Sequence, residues 1–392
     1  MRRSVAVVLL ALVAACHGQA PPAPAASPAA PAASAAPAPS APVYPESRRD
    51  DIVDRVHGVA VADPYRWLED ARQPEVQAWM KAQDGYARTH LAQLPGREAL
   101  AARLGEVFYV DSVGAPRHRG ERYFFTRKHK DKEKGIVYWK QGGAARGGAA
   151  RGEAGAETVL LDPNTWSADG STGLHGWTPS WDGRYVAYNV SEHNADETVM
   201  KVIDVGTGKV LADTLSGTKF GEASWSPDGR GFYYSWTPPA SDTLAEPDRN
   251  AHTELRYHVL GADPARDAMV HEPTGHNDWF LFGQISQDGH WLIAGIAHGS
   301  SGATSWFYRD LRRGQKDWTA LVDGVDATSN LIDWRDRFYL ITNDGAPRYR
   351  VFAIDPARPA RAAWKEVLPE QDATMQTVDV IGGHLIVSYL RS

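Results

Sequence analysis

Three stretches of this chain bring chemistry-bearing side chains close together, and their spacing decides what each can do. His271-Glu272-Pro273-Thr274-Gly275-His276 sets two imidazoles beside a carboxylate. They stand five apart with a proline and a glycine between, so they do not share one helix face as the zinc-binding His-Glu-x-x-His pattern requires. Gly206-Thr207-Gly208-Lys209-Val210 offers glycines and a lysine but lacks the upstream glycine and the following hydroxyl of a phosphate-cradling loop. It reads as a hairpin turn. A serine nucleophile needs a sharp strand-to-helix turn, usually Gly-x-Ser-x-Gly, with a base and an orienting acid. No serine here has glycine at both −2 and +2, and Gly299-Ser300-Ser301-Gly302 is the nearest approach. No catalytic residue, metal ligand set or cofactor site is therefore assigned from the residues.

The one remaining reactive side chain is Cys16, the only cysteine of 392 residues. A single thiol forms neither an internal disulfide nor a structural zinc site, which leaves packing to stabilise the fold. Cys16 follows Arg2, Arg3 and an uninterrupted apolar run from Val5 to Ala15, a positive region and a short hydrophobic region typical of export signals. That run is too short to span a bilayer. Val13-Ala14-Ala15-Cys16 resembles a bacterial lipobox, in which the thiol is diacylated and becomes the mature N-terminus. Every residue from 20 to 42 is Ala, Pro or Ser, a composition with nothing to bury, and it reads as a semi-rigid tether. The expected divisions are a signal over 1–16, a tether over 17–43, a helical segment over 44–109 and a β-rich body over 110–392.

The elements that would position any site begin after the tether, where all 14 Trp, 15 Tyr and 10 Phe lie. Basic and acidic residues are interspersed, 42 against 48, so the chain has no basic stripe for a phosphate backbone and nucleic acid is not an expected partner. Pro74 suits the first position of a helix, and Val76, Trp79, Met80, Ala87, Leu91 and Leu94 follow at roughly helical spacing until Pro95-Gly96. Leu100, Leu104, Val107 and Phe108 mark a second helix. Both apolar stripes need a partner surface, which points to a domain encoded elsewhere.

From residue 120 onward the pattern changes to short aromatic and β-branched runs between Gly/Asp turns. Ser180-Trp181-Asp182-Gly183 is echoed by Ser226-Pro227-Asp228-Gly229 and Ser286-Gln287-Asp288-Gly289, each followed by an alternating run, with the aspartates 46 and 60 residues apart. That period fits four-stranded propeller blades, with Asp-Gly at the hairpin corner. The expectation is a mainly β fold with five blades near 123–164, 174–215, 222–272, 280–323 and 330–369, and a sixth begun at Thr374. The duplicated Gly142-Gly143-Ala144-Ala145-Arg146 and 147–151 reads as a lengthened exposed hairpin.

From Tyr44 to its end the chain resembles the prolyl oligopeptidase family of serine peptidases. The resemblance rests on Asp63-Pro64-Tyr65-Arg66-Trp67-Leu68-Glu69-Asp70, Leu161-Asp162-Pro163-Asn164, Lys219-Phe220 through Gly231-Phe232-Tyr233-Tyr234, Tyr257-His258-Val259-Leu260-Gly261 and Thr342-Asn343-Asp344-Gly345-Ala346-Pro347-Arg348-Tyr349-Arg350, in the family's order. It implies a two-domain enzyme in which a seven-bladed propeller covers an α/β-hydrolase domain. The two helices would belong to that domain, which is missing from this chain along with the family's Ser, Asp and His.

The resemblance also implies that the propeller supplies part of the wall facing the active site, with Phe280 lining a distal substrate pocket and Ser300 at a pocket-lining position. Inter-blade packing is the competing role for Phe280, and an ordinary loop hydroxyl for Ser300. The expected function is the N-terminal portion of an exported, lipid-anchored endopeptidase that is a monomer when complete and hydrolyses short peptides after proline. The contrasting expectation is a stand-alone exported propeller that binds a peptide or envelope partner without catalysis.

Overall fold

The structure, a computed structural model, describes residues 43–391 apart from 143–154, 220 and 242. Cys16, the tether and most of the Gly/Ala/Arg duplication lie outside the described residues. The chain divides into two compact units, Met1–Leu100 and Ala101–Ser392.

In the first unit, Val53–Val56 and Val59–Ala62 form a hairpin whose corner, His57-Gly58, has both φ angles positive, the conformation that matches strand twist. The acidic-aromatic motif that follows is a knot of polar bonds. Arg66 Nε donates to Asp63 Oδ2 at 2.6 Å and its guanidinium also pairs with Asp54, while Trp67 Nε1 donates to Arg48 O at 3.0 Å. The Arg72 guanidinium, the Gln73 amide and the Arg72 N–H hold Asp70 down at about 2. Helix α1, Pro74–Ala92, starts on its proline, buries Val76 and binds the irregular segment before the hairpin through Trp79 Nε1 to Ser47 Oγ at 2.8 Å. Leu91 and Leu94 stay 49% and 44% exposed. Helix α2, Arg97–Phe108, runs from the first unit into the second and has no buried residue. The apolar stripe read from the sequence is present, covered at Val76 and Trp79 and exposed at Met80, Leu91, Leu94, Leu100, Leu104, Val107 and Phe108.

The second unit is a run of antiparallel sheets in strict chain order. Blade 1 pairs Ser112–Val113 and Arg117–Arg119 with Arg122–Lys128, followed by Ile136–Gln141 and Thr158–Leu161. Blade 2 holds Gly173–Pro179, Tyr185–Ser191, Val199–Asp204 and Lys209–Ser216. Blade 3 holds Ser224–Trp225, Gly231–Trp236, Glu254–Val259 and Ala268–His271. Blade 4 holds Trp279–Ile285, Trp291–His298, Thr304–Asp310 and Thr319–Val322, and blade 5 holds Ser329–Trp334, Arg337–Thr342, Arg350–Ile354 and Lys365–Leu368. A sixth sheet has two strands, Thr374–Ile381 and His384–Leu390. The expected blade 1 starts eleven residues too late, at 123. Its first strand is broken at Gly114-Ala115-Pro116, where proline lacks the N–H a ladder needs, and the alternation is lost with it.

Each Ser-x-Asp-Gly echo is the same corner between a blade's first and second strands. Ser180, Ser226 and Ser286 donate from Oγ to Asp182, Asp228 and Asp288 Oδ1 at 2.6–2.7 Å. The same oxygens accept from the N–H of Arg184, Arg230 and His290 at 3.0–3.1 Å. Gly183, Gly229 and Gly289 sit at φ 67–70°, which an asparagine or glycine adopts at least cost.

The core lies between blades, since a sheet must cover its apolar face with a neighbour. Phe124, Val137, Val186 and Ile203 fill blades 1 and 2. Val202, Trp225 and Phe232 fill blades 2 and 3, and Leu255, Leu281 and Ala294 fill blades 3 and 4. Trp291, Ile293, Phe338 and Ile354 fill blades 4 and 5, and Val351, Met375 and Val378 reach the sixth sheet. Fully burying such a side chain stabilises by about 1.5–3 kcal/mol, which makes inter-blade packing the main stabilising term here.

Candidate functional site

Phe280 is the second residue of blade 4's first strand and faces Ala297 near the end of the second strand. That second strand runs into the short turn Gly299–Ser301, which carries Ser300. Both residues therefore sit at the end of blade 4 remote from the Asp288-Gly289 corner. Phe280 is 37% exposed and Ser300 is exposed, so neither is buried between blades. Gly299 has φ +50°, and a Cβ there would meet Asp278 O at 2.8 Å. The turn that presents Ser300 thus requires glycine beside it, and Ser301 closes it by donating to His298 O at 2.7 Å.

The surroundings add residues that the sequence reading missed. Trp279 is sandwiched between His276, with centroids 3.8 Å apart, and His298 at 3.9 Å and an interplanar angle of 2°. Blade 3 reaches the same rim through the short helix Glu246–His252, where Asp248 Oδ1 accepts from Asn277 Nδ2 at 2.9 Å. Arg249, nearly buried, donates to Glu197 of blade 2 at 2.7 and 3.1 Å and to Glu246 at 2.7 Å. Glu197, between the second and third strands of blade 2, is thus tied to blade 3. Of these groups only Trp279, beside Phe280, and His276, in the failed metal motif, had a signal in the sequence.

Inward of this rim, a cavity of about 410 Å³ runs along the first strand of blade 2, between Arg117, Lys134, His175, Trp177 and Glu222. Arg117 stacks 4.9 Å over Trp177 and donates to its carbonyl at 3.1 Å, so its charge stays at the cavity wall.

The described residues hold two serine–histidine bonds, and neither is a nucleophile with its base. His175 Nε2 lies 2.6 Å from Ser191 Oγ, and no carboxylate holds the other nitrogen. His298 Nε2 lies 3.1 Å from Ser305 Oγ, but the acid, Asp323, is on the serine at 3.4 Å instead of on the histidine. A triad requires the reverse order. His271 and His276 diverge as well. The first contacts Phe307 and Trp318, where burial pushes its imidazole below the ordinary value despite the Glu272 carbonyl, and the second stacks on Trp279. Gly206-Thr207-Gly208 is the corner between blade 2's outer strands, with Thr207 N donating to Asp204 Oδ1 at 2.9 Å. The arrangement supplies a cross-braced aromatic rim, and among the described residues neither serine–histidine bond has a triad's order.

Residues 44–392 match the family model described as prolyl oligopeptidase, N-terminal beta-propeller domain. The chain belongs to the prolyl oligopeptidase family. Among similar proteins, the prolyl endopeptidase of Elizabethkingia meningoseptica is 27% identical over 349 residues, 89% of this chain and 47% of that protein. Prolyl oligopeptidase A of Galerina marginata is 27% identical and is matched over 50% of its length. A solved chain from a structural and mechanistic study of two prolyl endopeptidases superposes with a TM-score of 0.81 at 47% identity, covering 89% of this chain and 50% of that one. Prolyl oligopeptidase B from Galerina marginata, bound to a 35mer hydrolysis and macrocyclization substrate, superposes with a TM-score of 0.74 at 25% identity, covering 88% of this chain and 51% of that one. The chain spans about half the length of the curated relatives it matches. In this family setting, the motifs quoted from the sequence are structural ties. Asn164, of Leu161-Asp162-Pro163-Asn164, accepts from Lys134 N at 2.9 Å and donates to Lys134 O at 3.0 Å, and Asn343 Oδ1 accepts from Thr328 N at 2.9 Å.

Proposed function

We propose that this chain is the propeller-bearing portion of an exported serine endopeptidase that hydrolyses short peptides after proline. The observation that carries the reading is the family match over 44–392, with relatives named prolyl endopeptidase that are about twice as long. The exposed face of α2 agrees with it, since Leu100, Leu104, Val107 and Phe108 remain 50–60% exposed and a hydrolase domain would cover them.

In this reading the nucleophile, base and acid come from a segment outside residues 1–392, and acyl transfer proceeds through an ester between the serine and the peptide's prolyl carbonyl. This chain contributes access and part of the substrate wall. Phe280 offers an apolar face to a substrate residue, Ser300 a hydroxyl on the opening, and the braced rim keeps folded proteins away from the nucleophile. No cofactor enters the reaction. Cys16 would anchor the protein by its lipid, with 17–43 holding the body off the membrane, and the complete enzyme would act as a monomer.

The reading frame past codon 392 tests this cheaply. A Gly-x-Ser-x-Gly followed by downstream Asp and His is expected. A stop codon there in an undamaged gene removes the proposal and leaves the binding propeller.

A further inference from the structure

The end of the propeller opposite this rim holds a cluster that the peptidase reading does not use. Asp288 and His290 belong to the first corner of blade 4, and Asp336 to the corresponding corner of blade 5, between Ser329–Trp334 and Arg337–Thr342. One ligand atom from each lies within 4.8 Å of the other two. His290 is held by its far nitrogen, Nε2, 3.1 Å from Asp310 Oδ1, and its ring stacks on Trp291 at 4.0 Å. Its near nitrogen, Nδ1, is buried and has no hydrogen-bond partner, and Asp288 Oδ2 stands 4.0 Å away. The other Asp288 oxygen is already engaged by Ser286 Oγ and His290 N.

A gap of 4.0 Å is too wide for an N–H···O bond, so Nδ1 and Asp288 do not satisfy each other directly. Two ligands at 2.0–2.1 Å from a tetrahedral zinc stand about 3.4 Å apart, so rotation of the Asp288 and Asp336 carboxylates would have to close the site. The Nε2 contact to Asp310 is the carboxylate–histidine arrangement that fixes the tautomer and aims the opposite lone pair at a metal. Arg312 Nη2 lies 3.4 Å from Asp288 Oδ2 itself and would have to leave it for a metal to bind, and Arg313 Nε lies 3.5 Å from Asp310 Oδ2; both arginine side chains are more than half exposed. His290, Asp336 and Asp355 line one cavity of about 600 Å³ together with Arg312 and Arg313.

We propose that Asp288 Oδ2, His290 Nδ1 and an Asp336 carboxylate oxygen form a divalent-cation site of the zinc class that clips blade 4 to blade 5. Imidazole with two carboxylates suits a first-row transition ion, whereas calcium and magnesium favour oxygen ligands alone. Sequence spacing assigns no metal here because Asp288 and Asp336 lie 48 residues apart and meet only through the repeat.

The test dialyses chelator-stripped protein against zinc chloride and measures bound zinc per chain by mass spectrometry, with thermal unfolding alongside. The expected result is one zinc per chain and a raised Tm, with no such rise from calcium chloride. Asp336→Asn, at an exposed corner, should weaken zinc binding at least tenfold, and Asp310→Asn, which touches no metal, about tenfold to a hundredfold. His384→Gln, an exposed histidine of the sixth sheet, should bind as the parent does. Absence of bound zinc in the parent, or equal retention by Asp336→Asn, overturns the proposal.

Discussion

His258 is enclosed on both sides by acid. Asp213 of blade 2 lies 2.9 Å from Nε2, Asp267 lies 3.0 Å from Nδ1, and Tyr234 donates to Asp267 at 2.8 Å, all with side chains nearly or wholly buried. Each ring nitrogen is thus met by a carboxylate oxygen, and the buried group is satisfied from within. Removing one partner strands the rest, so Asp213→Ala should cost about 3–5 kcal/mol in urea unfolding, and a cost below about 1 kcal/mol would refute the account of this tie. Asp333 shows the opposite balance. Burial, opposed by the Gln287 N–H at 2.7 Å, pushes its carboxyl up. The folded chain then keeps a proton that the unfolded chain releases, so stability falls as pH rises through the window above the ordinary value of 3.8. Asp333→Asn should flatten that fall and leave stability at pH 7 unchanged or higher, as urea unfolding at pH 4 and pH 7 would show. The ties of His258 to Asp213 and of Asp333 to Gln287 were not legible in the sequence, because they span 45 and 46 residues. Phe280 and Ser300 were legible only as a resemblance. The structure brings them to one end of blade 4, while Arg249–Glu197 and the His276–Trp279–His298 stack emerge only from the folded rim.

Elements were read more easily than sites, because a corner is a local object. Ser-x-Asp-Gly encodes its own turn within five residues, through one hydroxyl, one carboxylate and one glycine, and the three echoes are superimposable in their bonds. The first strand of blade 1 escaped because Pro116 interrupts its alternation. Two glycines separate conformational from steric demand. Gly183 and Gly208 both have φ +69°, but a Cβ at 183 would sit 2.5 Å from Arg119 O, while at 208 it meets nothing within 4 Å. Gly208→Ala should therefore cost only the left-handed penalty of about 1–2 kcal/mol, and Gly183→Ala clearly more. Equal costs in thermal or urea unfolding would show that the blade 1–blade 2 approach is not the constraint argued here.

For the whole molecule, length and patterning together were informative. The blades follow one another in chain order, while α2 and the strand His384–Leu390, whose Ile386 and Leu390 are 48% and 62% exposed, present apolar surface that the proposed second domain would cover. What stayed illegible is the catalytic apparatus, since neither serine–histidine pair in the described residues has a triad's order. The central claim is that this chain shapes access to a proline-specific active site completed by a segment it does not contain. The most direct measurement compares hydrolysis of a Gly-Pro p-nitroanilide peptide by the 392-residue chain and by the polypeptide extended through the downstream reading frame. The account predicts turnover by the extended protein alone. Turnover by the 392-residue chain, or none by the extended one, contradicts it.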